Sequence, residues 1–170
     1  MNVRSGTEAR KRNVTGFLLL AVPSVVAAGL LILAVPYYAG ASARIASLYA
    51  NLAVPADRAL TPQMASYAFS QHHHLAAAKL ALSKEAKTEA SFDNRLGQIR
   101  FPPAAGPHAD LLIAADQKRI KVIRLQMRAR TRRKLRSFDA RDRAADAAVE
   151  AQVRILRQDL GLPAASGSLY

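Results

Sequence analysis

The longest apolar stretch of the chain covers residues 17–39 and lies within residues 13–43, a segment without a charged side chain. A helix of these 23 residues is about 35 Å long, whereas the hydrocarbon core of a membrane is roughly 30 Å thick. Tyr37 and Tyr38 stand near its end, where aromatic rings suit the membrane–water interface. The pattern predicts a transmembrane signal-anchor helix over residues 14–40.

The charges on the two sides of this segment predict its orientation. Four cations precede it and two follow closely, namely Arg4, Arg10, Lys11 and Arg12 against Arg44 and Arg58. Because positive charge favours the cytoplasmic side, we expect residues 1–13 to be a basic cytoplasmic tail. The protein is then a single-pass plasma-membrane protein with its C-terminal domain outside. A cleaved secretory signal is an alternative, since small residues occupy positions 39–43, and it would leave a secreted protein.

The part after the span begins with a predicted linker and a predicted helix. Residues 41–60 are expected to form the linker, because Pro55 lacks a backbone donor and constrains the residue before it. Thr61-Pro62 is a helix start signal, and no Pro or Gly interrupts residues 63–96. The apolar residues recur at helical spacing, which predicts a helix over residues 62–99.

Two further helices are predicted over residues 108–129 and 132–160. Thr131 is placed to cap the second of them, and Gly161 with Pro163 beyond it is a stop signal. What remains of the chain, residues 164–170, is expected to be a disordered tail.

These elements predict an all-α fold, in which an N-terminal transmembrane helix is followed by an antiparallel three-helix bundle over residues 61–163. In such a bundle the first helix leaves the membrane and the second returns. The end of the second helix is therefore expected on the membrane side.

Two short motifs resemble those of a known group of proteins. They are Ile99-Arg100-Phe101-Pro102-Pro103 and Arg157-Gln158-Asp159-Leu160-Gly161-Leu162-Pro163. The chain resembles uncharacterised exported helical-bundle envelope proteins, often lipoproteins, of high-GC Gram-positive bacteria, over roughly residues 92–163. The resemblance implies an exported helical domain and supplies no activity. Because this chain has no cysteine to carry a lipid, an uncleaved helix would replace that anchor.

Composition narrows the chemistry further. The 170 residues include no cysteine, which excludes a disulfide scaffold, a thiol nucleophile and a cysteine-ligated metal. There are 25 Lys and Arg against 12 Asp and Glu, a formal charge of +13, while apolar residues make up 51%. That apolar fraction is too high for a wholly disordered basic tail.

Much of the positive charge is concentrated in residues 118–136, which hold ten cations and no acid. The cations are Lys118, Arg119, Lys121, Arg124, Arg128, Arg130, Arg132, Arg133, Lys134 and Arg136; the seven from Arg124 onward are the predicted anion-binding residues. Ion pairs with acids further along the chain would neutralise part of this positive charge, for instance with Asp139, Asp142, Asp146 and Glu150. The positive charge that is not neutralised favours binding of an anionic lipid or a wall polymer. Nucleic acid is not expected, because no aromatic side chains interleave with the cations.

No other group predicts chemistry. The run His72–His74 is not expected to bind a metal, because successive residues splay around a helix and ligand pairs need a spacing of three or four. Glu85 and Glu89 stand beside Lys84 and Lys87 and are expected to be solvated. The sequence has no serine-nucleophile, phosphate-loop or H-E-x-x-H motif, so we predict no enzyme activity, no catalytic residue and no cofactor.

The predicted function is attachment or scaffolding by a helical domain that is anchored in the membrane and binds an anionic lipid or wall polymer. An accessory subunit of a larger membrane protein complex is an alternative.

Overall fold

The computed structural model of this protein describes residues 41–164. It has four long helices and one short one in this part of the chain: α1 (Ala41–His73), α2 (Leu75–Leu96), α3 (Gly106–Met127), α4 (Arg132–Arg136) and α5 (Asp139–Asp159). No strand occurs among the described residues, and the all-α prediction is confirmed.

The predicted linker over residues 41–60 is instead the first half of α1. One side of this half is buried in the core, through Tyr49, Leu52, Ala53, Ala56 and Leu60. Burial of each large apolar side chain contributes about 1.5–3 kcal/mol, which offsets the roughly 3 kcal/mol cost of a proline inside a helix.

Both prolines of α1 lie on its solvent side. Pro55 and Pro62 are exposed, as are Asn51 and Arg58, whose carbonyls lie four residues before the prolines. A carbonyl that loses its partner on this side is free to bond water, so that the helix continues.

The predicted uninterrupted helix over residues 62–99 is also wrong, because the chain reverses at His74. This residue has an extended backbone, with φ −135° and ψ 95°, between the end of α1 and the start of α2. The side chains of Gln63 and Thr88 are hydrogen-bonded at 3.2 Å, which shows that the two helices run antiparallel. No Gly or Pro marks this turn in the sequence. The packing of α1 against α2 instead determines where the chain reverses.

Around α4 the sequence predicts the structure more accurately. Thr131 caps α4 as predicted, with its Oγ1 accepting a hydrogen bond from the backbone N–H of Lys134 at 3.1 Å. However, α4 has only five residues, and the last long helix begins at Asp139 instead of residue 132. The predicted stop is observed after α5, where Gly161 has a positive φ of 66°.

The long helices therefore form an up-down-up-down arrangement of four antiparallel helices instead of three. At one end, called here the Ala41 end, α1 and α3 begin and α5 finishes, with His108 paired to Asp159. At the other end, called the His74 end, α1 turns into α2 and α3 turns into α4. The end of α3 is consequently far from the start of α1, whereas a three-helix bundle would have placed it near the membrane side.

Three predicted segments lie outside the described residues. They are the cytoplasmic tail (residues 1–13), the transmembrane helix (14–40) and positions 165–170 of the C-terminal tail. Within residues 41–164, no helix combines the length and the apolar character needed to cross a membrane.

Candidate functional site

The predicted anion-binding residues gather at the His74 end. They are called the basic cluster, and all of them are exposed: Arg124, Arg128, Arg130, Arg132, Arg133, Lys134 and Arg136. Ala129 and Leu135 lie between them and are buried against Leu82 and Ile123. Because these two apolar residues are turned into the core, the cations around them are directed into solvent.

One member of the basic cluster holds the bundle end together. The guanidinium of Arg132 donates hydrogen bonds to the backbone carbonyls of His72, at 2.5 Å, and of His73, at 3.5 Å. These are among the last carbonyls of α1, whose dipole favours a cation. Arg132 therefore brings the turn at His74 into contact with the basic cluster, although sixty residues separate them.

The other cations of the basic cluster have no acidic partner in the described part of the chain. No carboxylate of residues 41–164 lies within ion-pair distance of them. Lys134 stands over the ring of Phe138, with 5.1 Å between the ammonium and the ring centroid. The cluster is thus a surface of positive charge that the surrounding residues do not neutralise.

Arg119, which the sequence groups with the exposed cations, is instead buried in the centre of the bundle. Its guanidinium pairs with Glu85 and Glu89, and its Nε lies 3.1 Å from Asp146. Burial by itself lowers the pKa of Arg119, but the surrounding carboxylates raise that pKa overall, Glu85 most of all. The expected pairing with Asp146 is confirmed for this one cation.

Glu85 and Glu89 are also buried, contrary to the expectation that they are solvated. Their side chains are 3% and 0% exposed, and both reach the same guanidinium. Burial raises the pKa of Glu85 although Arg119 opposes it. The two carboxylates and Arg119 form a polar layer between two apolar clusters, one around Leu112 and the other around Ile123.

A second pair of acids is buried near this layer. Asp93 on α2 and Asp116 on α3 are 6% and 0% exposed, and their carboxyl groups share a hydrogen bond. Burial and the neighbouring Asp116 raise the pKa of Asp93 to about 8, so this carboxyl is protonated at neutral pH. In the sequence, the spacing of Glu85, Glu89 and Asp93 places these three buried acids on one helix face, which was the signal that they lie together.

Among the described residues, no three His, Asp or Glu side chains are arranged to hold a metal ion. The chain was compared with models of protein families, with curated proteins and with solved structures, and none of them matches. The resemblance to exported envelope proteins therefore stays a prediction, and no family is assigned to the chain.

Proposed function

We propose that this chain is a membrane-anchored extracytoplasmic protein whose basic cluster attaches it to an anionic, phosphate-bearing polymer outside the membrane. The proposal depends above all on one observation: seven exposed cations lie together at one end of the bundle, and no acid of the described chain pairs with them. Like charges held so close repel one another, and an anionic ligand relieves that repulsion.

The position of the basic cluster supports a polymer over the lipid of the anchoring membrane. The chain enters α1 at Ala41, directly after the predicted span, and α1 has 33 residues, which corresponds to about 50 Å. The cluster lies at the far end of this helix, where Arg132 contacts its last carbonyls. With α1 directed away from the membrane, as the proposal requires, the anchoring bilayer is out of electrostatic reach, because the attraction of a charged membrane surface decays within a Debye length of about 8 Å.

The residue types support phosphate as the recognised group. Six of the seven cations are arginines. A guanidinium is planar and presents paired N–H donors that match two oxygens of a phosphate, whereas lysine acts as a point charge. The protein would therefore act as an attachment point between the membrane and the polymer, with the bundle as a rigid spacer.

The test is binding of the full-length protein, in mild detergent, to immobilised poly(glycerol phosphate). Replacing Arg128, Arg130, Arg133 and Arg136 with glutamine is expected to weaken binding on the order of a thousandfold, at about 1 kcal/mol per cation. Arg132 is retained in this variant because it stabilises the end of α1.

The matched control removes four exposed cations elsewhere, by changing Lys84, Lys87, Arg95 and Arg100 to glutamine. It lowers the net charge equally and is expected to keep most of the binding, while added salt weakens binding of the wild type. Equal losses in both variants would show that only net charge matters and would contradict the proposal. Preferential binding to anionic vesicles would point to lipid, and a stoichiometric protein partner in detergent would point to an accessory subunit.

A further inference from the structure

The residues His72–His74 form the turn between α1 and α2, and are called the histidine turn. All three side chains are exposed, and neighbouring imidazole rings lie 6.4 and 6.3 Å apart. The contact between Arg132 and the carbonyls of His72 and His73 places this turn against the basic cluster. The two surfaces are thus continuous.

The charged groups around the histidine turn are predominantly positive. Arg132 on α4 faces the histidine turn. Neither α1 nor α2 has an acid between residues 58 and 84. The nearest acid from α5 is Asp139, whose carboxylate already accepts a hydrogen bond from Tyr67 at 3.0 Å. No carboxylate of the described residues forms an ion pair with these three histidines.

We infer that the histidine turn is part of the same phosphate-binding surface as the basic cluster, and makes polymer binding stronger as the pH falls. This inference rests on the proposed function. Histidine is the side chain that gains a positive charge between about pH 8 and 5. Positive charge added beside seven permanent cations makes the surface attract a polyanion more strongly.

The experiment measures binding of full-length protein to immobilised poly(glycerol phosphate) at about pH 8 and about pH 5.5, at constant ionic strength. A phosphodiester polymer stays ionised over this interval, so the probe itself does not titrate. We expect the wild type to bind on the order of a hundredfold tighter at the lower pH. A variant with His72, His73 and His74 changed to glutamine is expected to bind like the wild type at about pH 8 and to lose this gain.

His108→Gln is the matched control, because His108 lies at the Ala41 end. It is expected to keep the full gain in binding at the lower pH. The single variants His72→Gln and His73→Gln, which leave the turn residue His74 unchanged, are expected to lose part of the gain, and helical circular dichroism checks the fold of each variant.

The outcomes separate this inference from the proposed function. If the wild type does not bind the polymer at about pH 8, or if the four-arginine variant binds equally well, the proposed function fails. If the wild type binds but gains nothing on acidification, or if the glutamine triple variant keeps the gain, the histidine turn is not part of the site and only the further inference is overturned.

Discussion

Replacing Arg119 with methionine is expected to lower the free energy of unfolding by about 3–5 kcal/mol, the usual cost of leaving a buried charge without its partner. Glu85 and Glu89 both depend on this guanidinium and are almost inaccessible to water. The measurement is urea unfolding of the full-length protein in mild detergent, followed by the loss of helical circular dichroism.

Arg124→Met is the matched control, because Arg124 is an exposed arginine on the same helix. Its expected cost is within about 0.5 kcal/mol. Combining Arg119→Met with Glu85→Gln and Glu89→Gln is expected to recover much of the loss, since the two most deeply buried partners of Arg119 are then neutral. An Arg119 variant as stable as the Arg124 variant would refute the buried ionic layer.

The free energy of unfolding is expected to fall as the pH rises from about 5 to about 8, because folded Asp93 keeps a proton that the unfolded chain has released. The pKa of Asp93 is raised to about 8 in the fold, by burial and by Asp116, whereas an unfolded aspartate titrates near about 4. Between these values the folded state binds more protons, and each pH unit lowers stability by up to about 1.4 kcal/mol. Urea unfolding at several pH values is expected to show a total loss on the order of 3 kcal/mol.

Asp93→Asn isolates this contribution, since its amide cannot ionise and is able to donate to Asp116. We expect the variant to show a flatter pH profile than the wild type and to be the more stable of the two at about pH 8. Asp110→Asn, at an exposed acid near the start of α3, is expected to keep the wild-type dependence of stability on pH. If the free energy of unfolding depends on pH as steeply in Asp93→Asn as in the wild type, the pair of Asp93 and Asp116 does not hold the proton.

Local signals in the sequence predicted the helical class and several boundaries of the bundle. The stop at Gly161 and the cap at Thr131 are confirmed, because each depends on the conformation of a few adjacent residues. The reversal at His74 has no such signal. It follows from the apolar faces of α1 and α2, which bury each other only if the chain turns between them.

The sequence predicted only a part of the candidate site, because local patterns do not reveal contacts between distant segments. A run of cations with no intervening acid is visible in the sequence, and seven of them are exposed at one end of the bundle. The contact of Arg132 with the carbonyls of His72 and His73 joins segments sixty residues apart, and no spacing rule predicts it. Spacing alone likewise does not tell that Arg119 faces inward while its neighbour Lys118 faces solvent.

By itself, the sequence determined that the described chain is helical, where its last long helix ends and where its positive charge is concentrated, because these properties arise from neighbouring residues. The tertiary structure alone decided that a segment with two prolines is a core helix, that four long helices pack instead of three, and which charges are buried. The physical reason is that burial depends on what packs against a helix face, and packing joins residues that are distant in sequence. The same packing places the basic cluster at the opposite end of the bundle from Ala41.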